Sequence, residues 1–209
     1  MSRSAGFTIR LATPDDALAY IHCYVESLAE TYAHIMPPEF AQSRRERLQR
    51  DAADTRDELE QMQADLTAGR TPQRTHWVGL VDGEVAGIVS AGEGVAEWER
   101  AHFDNPEPPV SFNLDHIYTR RSSHGTGLGQ TLLETALQDP HHPGRMRGAW
   151  LWILRENPRA EAFYRRNGFL DDELEVSCGA SWFHRPMFRM WRPEPVDACG
   201  VDRPFSPLC

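Results

Sequence analysis

No lysine occurs anywhere in the 209 residues, so every fixed positive side-chain charge is an arginine. That absence excludes a P-loop, because GxxxxGK[ST] needs its lysine to reach the outer phosphates of a nucleotide. The uniform use of arginine itself looks like the coding bias of a GC-rich genome. Cysteine is scarce as well. Cys23, Cys178, Cys199 and Cys209 form no CxxC pair and lie beside no histidine at zinc spacing, and the nine histidines are scattered, so no metal site is expected. No apolar run approaches the length of a membrane span. The opening MSRSAGFTIR lacks the apolar stretch of an export signal, which makes the cytoplasm the expected compartment and free thiols the expected state. Basic residues are outnumbered, 22 to 31, for a net charge of −9. Nucleic acid demands clustered positive charge and is therefore not expected as a partner, whereas a cationic substrate is mildly favoured.

What is present reads as one α+β domain over residues 1–192, followed by a Pro-rich tail over 193–209. FTIRLAT (7–13) is a short strand. Thr13 then N-caps a helix that carries Pro14 at its first position and Leu18, Ile21, Val25 and Leu28 at helical spacing. MPP (36–38) breaks that helix. The charged stretch from Glu39 to Ala68 reads as one long or two shorter exposed helices ended by Gly69 and Pro72. Residues 75–92 form a hairpin about Asp82-Gly83. An acidic, Pro-ended connection (93–109) leads to the strand FNLDHIYT. AWLWIL (149–154) is a buried strand, PRAEAFYRRNG (158–168) a Pro-started helix, and FLDDELEVS and RPMFRMW two final strands. The expected architecture is a mixed, mostly antiparallel sheet with helices on both sides.

The chemistry concentrates in FNLDHIYTRRSSHGTGLGQTLLETAL, which begins at Phe112. Strand, glycine-rich turn and helix follow one another there, and such turns hold phosphate on bare backbone N–H groups at the positive end of a helix dipole. A dinucleotide fingerprint does not fit. GxGxxG read from Gly125 ends on Gln130, read from Gly127 it ends on Leu132, and no βαβ unit surrounds it.

A third pattern does fit. HGTGLG (124–129) resembles the Q/R-x-x-G-x-G/A motif of the GCN5-related N-acetyltransferase (GNAT) superfamily, which in that family binds the pyrophosphate of acetyl-coenzyme A. Gly127 and Gly129 match, and His124 stands where Gln or Arg is usual. LWILRENPRAEAFYRRNGF (151–169) resembles the family's next block, and HCYVESLAETYAHIMPPEF (22–40) its first helix and following loop. The resemblance spans roughly residues 7–192.

It implies a splayed parallel strand pair, 112–119 and 149–154, with the pantetheine arm in the wedge. Backbone groups of Ile117 and Thr119, on either side of Tyr118, would bond the arm as if it were another strand. The loop of His124, Gly125, Thr126, Gly127, Leu128, Gly129 and Gln130 would wrap the pyrophosphate, with charge from Arg120 and Arg121. Asn157, Ala160, Phe163 and Tyr164 would complete the cofactor site, and Asn157 would also cap its helix. Tyr164 matches the general acid that protonates the departing thiolate, and a backbone N–H near a strand bulge would stabilise the developing oxyanion. No single base is identifiable: Asp115 and His116 are the nearest candidates, one of which should point at the site because neighbours on a strand face opposite sides, and many enzymes of the family use water instead.

Acidic residues Glu26, Glu30, Glu39, Glu93, Glu97, Glu99, Asp104 and Glu107, with Tyr24, Tyr32, Trp98 and Phe103, are expected around a cationic acceptor. The expected activity is acetyl transfer from acetyl-CoA to a primary amine of a small molecule or a peptide N-terminus, without metal, membrane or nucleic acid, in a monomer or homodimer. The alternative is an acyl-CoA-binding sensor of the same fold that does not turn over.

Overall fold

The computed structural model describes residues 6–95, 108, 110–142 and 148–194. Seven strands form one sheet: β1 (Phe7–Leu11), β2 (Arg74–Val81), β3 (Glu84–Glu93), β4 (Phe112–Thr119), β5 (Ala149–Leu154), β6 (Leu170–Ser177) and β7 (Pro186–Arg192). Their order is β1-β2-β3-β4-β5-β7-β6. All neighbours are antiparallel except β4 and β5, which are parallel. The helices are α1 (Ala17–Tyr32), α2 (Pro38–Glu46), α3 (Leu48–Thr67), α4 (Leu128–Leu137) and α5 (Pro158–Arg166).

Local chemistry accounts for most boundaries. Asp82 and Gly83 take positive φ values of 52° and 86°, the left-handed pair that a two-residue hairpin turn requires. The charged stretch divides into two helices at Arg47, and Gly69 ends the second with φ 69°. Along α1, Ile21, Val25 and Leu28 are buried as their spacing implies. Leu18 is 49% exposed, at the margin of that stripe in the first turn.

At the entry to α1 the Asp16 carboxylate accepts from the Thr13 N–H and hydroxyl, each at 2.8 Å, and from Arg10 Nη1 at 2.6 Å. The Arg10 hydrogen bond is the main reason its pKa falls from 3.8 to about 2. A depressed carboxylate pKa stabilises the fold above the unfolded value and loses that contribution as pH falls through the folded one. We expect Asp16→Ala to cost about 1 kcal/mol near neutral pH. The gap from wild type should close between about pH 4 and pH 2, as read from urea unfolding across that range.

The helices cover the sheet on both faces. α4 packs Leu128, Leu132, Leu133 and Leu137 against Val89, Leu114, Leu151 and Phe188. It lies close to the sheet because Gly79 and Gly87 face each other beneath it. A Cβ on Gly79 would meet Leu128 Cδ1 at 2.5 Å, and one on Gly87 would meet Leu132 Cδ1 at 2.8 Å. On the opposite face α1 and α3 bury Tyr20, Val25, Leu59 and Met62 with Val78 and Ile88.

Two departures from regular pairing shape the site. β4 and β5 are in register only at Asn113↔Trp150, so they diverge towards their C-terminal ends and leave a wedge. In β4, Leu114 faces Ala91 and His116 faces Ser90, which makes Asp115 an extra, bulged residue. The bulge resets the alternation of faces. Phe112, Leu114 and Ile117 belong to the α4 side, while Asp115, His116 and Tyr118 line a cavity on the side of α1 and α3. The expectation that only one of Asp115 and His116 points into the site is therefore corrected, because a bulge turns two successive side chains the same way.

Candidate active site

The glycine-rich turn forms the start of α4. Gly127 is the N-cap with φ 92° and Gly125 has φ 79°, and the space in front of both is open. Thr126 Oγ1 accepts from the Leu128 N–H at 3.4 Å and donates to the Ser123 carbonyl at 2.8 Å. The N–H groups of Gly125, Gly127, Gly129 and Gln130 have no backbone acceptor among the described residues outside the helix, and these are the groups that bind phosphate at a helix start. His124 fixes the loop. Its Nε2 lies 3.2 Å from the Thr119 carbonyl and its Nδ1 2.6 Å from Arg159 Nη1, so the ring donates through Nε2 and accepts at Nδ1. Burial and Arg159 lower its pKa, which keeps it neutral. Arg159 is a cation that sequence reading did not single out. Gln130 instead ties α4 to the end of α5, donating to Asn167 Oδ1 at 2.8 Å.

Along β4, Arg120 donates its N–H to Ala86 of β3 at 2.8 Å. Backbone groups alternate sides along a strand, so those of Ile117 and Thr119 face the gap towards β5. At the mouth of that gap Asn157 caps α5, accepting from the Ala160 N–H at 3.1 Å, and its Nδ2 lies 3.5 Å from Tyr32 Oη. Tyr32 in turn hydrogen-bonds Tyr118. Tyr164 is buried, edge-on to Phe163 at 5.3 Å and to Phe169 at 5.4 Å between centroids. Its hydroxyl has no hydrogen-bond partner among the described residues. Burial, and secondarily Tyr32, push its pKa far above the usual phenol value, so it holds its proton at any working pH.

On the far side of the wedge lies a cavity of about 1160 Å³. Tyr24, Tyr32, Tyr118, Trp152 and Trp182 supply aromatic walls. Asp115 reaches into it, 3.1 Å from Arg74 Nε and accepting from Ser90 Oγ at 3.1 Å. Enclosure by protein raises the Asp115 pKa, partly opposed by Arg74 and Ser90. His116 is held from behind by Tyr20 Oη at 2.8 Å from Nε2 and flanked by the Tyr24 ring at 5.3 Å. Burial first, then His76 and Arg74, lower its pKa to about 3.

The expected ring of acids is corrected in part. Tyr24 and Tyr32 do line the cavity, but Glu26, Glu30, Glu39 and Glu93 do not. Glu26 pairs with Arg45 at 2.7 Å, and Glu30 accepts the Arg121 N–H at 3.2 Å. Glu97, Glu99, Asp104, Glu107, Trp98 and Phe103 lie outside the described residues, as do Cys199 and Cys209. The cavity's carboxylates come instead from Asp57, Glu58 and Asp65 on α3, together with Asp115. Sequence periodicity marks α3 as an exposed charged helix, and nothing local reveals that one charged side of it borders a cavity. Among the described residues no group of three or more His, Cys, Asp or Glu side chains converges as a metal site, and no helix is long and apolar enough to cross a membrane.

Comparison with known proteins agrees with this geometry. No curated protein is detectably similar in sequence. Among solved structures, PaiA N-acetyltransferase from Thermoplasma acidophilum, in complex with coenzyme A, superposes with TM-score 0.66 at 18% identity, over 90% of this chain and 99% of that one. An acetyltransferase from Thermus thermophilus superposes with TM-score 0.54 at 21% identity, over 90% and 96% of the two chains. The ribosomal-protein-S18-alanine N-acetyltransferase from Escherichia coli does so with TM-score 0.55 at 15% identity, over 95% and 100%. At these identities the likeness concerns the fold. The Acetyltransferase (GNAT) family profile matches residues 28–169, a span that holds the glycine-rich turn, the wedge strands and Tyr164, and the chain belongs to that family of N-acetyltransferases.

Proposed function

We propose that the protein transfers the acetyl group of acetyl-CoA to the primary amine of a small cationic molecule or a peptide N-terminus, by direct attack, with Tyr164 as general acid. The observation that carries this reading is the gap between β4 and β5, which has an open, glycine-rich turn at a helix start on one side and an acid-lined cavity on the other. The residues fit the donor. The open N–H groups of Gly125, Gly127, Gly129 and Gln130 and the guanidinium of Arg159 suit the pyrophosphate, and the unpaired edge at Ile117 and Thr119 suits the pantetheine amides. The neighbour from Thermoplasma acidophilum, in complex with coenzyme A, supports the same donor.

Bound acetyl-CoA supplies an activated thioester whose acetyl group passes to an amine as the thiol departs. Tyr164 carries a phenol whose hydroxyl has no hydrogen-bond partner among the described residues, which leaves its proton free for the leaving sulfur. A backbone N–H of the bulge at Asp115 suits the developing oxyanion. Of the two candidate bases, His116 is favoured, because the Asp115 carboxylate is already engaged by Arg74 and Ser90. Four carboxylates, Asp57, Glu58, Asp65 and Asp115, face the cavity beside aromatic rings; Arg74 pairs with Asp115 and Arg70 with Asp65, which leaves Asp57 and Glu58 without an arginine partner among the described residues. That balance favours a cationic acceptor.

Release of CoA thiol from acetyl-CoA against a panel of polyamines, basic amino-acid derivatives and peptide N-termini tests the proposal. We expect at least one cationic amine to drive release in preference to neutral analogues. Tight acetyl-CoA binding with no release by any amine would instead mean a binding protein of this fold.

A further inference from the structure

From His116, away from the wedge, runs a line of polar side chains to which the acetyl-transfer reading assigns no proton transfer, although Glu58 at its end is one of the acids facing the acceptor. Tyr20 Oη lies 2.8 Å from His116 Nε2 and 3.4 Å from His76 Nδ1, and His76 Nε2 lies 3.9 Å from Glu58 Oε2. Tyr20 and His76 are buried, Tyr20 stands edge-on to both imidazoles, and the Glu58 side chain is 63% exposed. His76 and Glu58 also border the cavity, so the line runs along its wall from His116 to a carboxylate at its rim that is open to water. His116 Nδ1 has no hydrogen-bond partner among the described residues, and the ring lines the cavity.

We propose that Tyr20, His76 and Glu58 conduct away the proton that the acceptor amine loses to His116. The inference rests on the acetyl-transfer reading. At rest His116 carries its proton on Nε2 and donates to Tyr20 Oη, Tyr20 donates to His76 Nδ1, and His76 donates from Nε2 towards Glu58. As the ammonium gives its proton to His116 Nδ1, the Nε2 proton passes to Tyr20, the Tyr20 proton to His76 Nδ1, and the His76 Nε2 proton to the Glu58 carboxylate. One proton enters, one leaves to water through Glu58, and both imidazoles and the phenol end neutral. The last gap of 3.9 Å closes by rotation of the exposed Glu58 side chain or through one water.

The electrostatic setting agrees. Around His116 stand Tyr20 and Tyr24 from α1, Glu58 from α3, Arg74 and His76 from β2, and Asp115 and Tyr118 from β4. Burial holds the pKa of His116 at about 3 and that of His76 at about 4, while burial and then Asp115 raise that of Glu58. Neither imidazole can store the proton at neutral pH, so His116 serves as a base only if the proton moves on.

The test uses the full chain and an amine that the wild type acetylates, with kcat and both KM values measured across pH for wild type, Tyr20→Phe and Glu58→Gln. Tyr20→Phe keeps the ring and removes the bridging oxygen. It is expected to lower kcat about tenfold to a hundredfold at neutral pH, with the KM for acetyl-CoA unchanged and the rate partly restored by added imidazole. Glu58→Gln, on an exposed side chain, is expected to lose several-fold in kcat and to be restored in the same way. Unchanged kcat in a folded Tyr20→Phe, or a loss that neither imidazole nor rising pH relieves, would overturn the proposal. If Tyr20→Phe does not fold, Glu58→Gln decides on the same two criteria.

A readout without turnover separates this idea from the acetyl-transfer reading. Imidazole nitrogen-15 spectra should show both His76 and His116 as Nε2–H tautomers, with His116 becoming mixed in Tyr20→Phe. If no amine is turned over, the enzyme reading fails and those spectra alone judge the hydrogen-bond line. A His116 that is Nδ1–H at rest sinks it.

Discussion

Replacing Tyr164 by Phe is expected to lower kcat about a hundredfold to a thousandfold at neutral pH while leaving acetyl-CoA binding intact. The substitution removes one oxygen and keeps the ring in its edge-on contacts with Phe163 and Phe169, so the fold should survive. No hydrogen bond from that hydroxyl to a described residue is lost, which separates a chemical effect from a structural one. The defect should shrink as pH rises past the ordinary thiol range near about 8.5, because a thiolate that is stable in water needs no proton from the enzyme. Parallel pH–rate curves for wild type and variant, with acetyl-CoA binding measured by calorimetry, check this. Equal kcat values at neutral pH would remove Tyr164 from the mechanism.

Gly127→Val should act on the donor and not on the chemistry. Gly127 has φ 92°, and nothing lies within 4 Å of where its Cβ would sit, so the obstacle is backbone conformation rather than space. A β-branched residue there costs about 1–2 kcal/mol or forces the turn to rearrange. Either way the N–H groups at the start of α4 lose their common aim. We expect the KM for acetyl-CoA to rise at least about tenfold, with kcat at saturating donor nearly retained and a melting temperature lower by about 2–8 °C. Gly129 is the useful contrast. It has no positive φ, and a Cβ would stand 3.7 Å from Thr119 Cγ2, an ordinary contact. Gly129→Ala should therefore fold normally, so any loss of donor affinity in it reports the space above the turn.

These two predictions rest on features legible in the sequence, and the proton line does not. HGTGLG announces its turn because glycine spacing and the helical leucines after it are local facts. NPRAEAFY does the same for α5 and Tyr164, through a capping Asn and a first-turn Pro. His76, by contrast, reads as one more residue in a β-rich run, and Glu58 as one charge among many on α3. The hydrogen bond joining Tyr20 to His116 links positions 96 residues apart, and no periodicity carries information over that distance. Arg159 is similar. It lies on the outward side of a short helix, and only the packing of α5 beside the turn brings it to His124 across 35 residues.

The order of strands and helices, the hairpin at Asp82-Gly83, the glycine-rich turn, the wedge strands and the GNAT family are all written along the chain. Each depends on backbone preferences and apolar spacing that act within a few residues. What lines the cavity is settled only when the elements pack. The register of β4 against β3 leaves Asp115 over, and that one unpaired residue turns Asp115 and His116 into the same cavity. The lie of α3 selects the acids that the cavity contains, setting Asp57, Glu58 and Asp65 there in place of the glutamates of α1 and α2. Register and helix placement follow from the sum of many side-chain contacts across the core, so no short stretch of sequence records them.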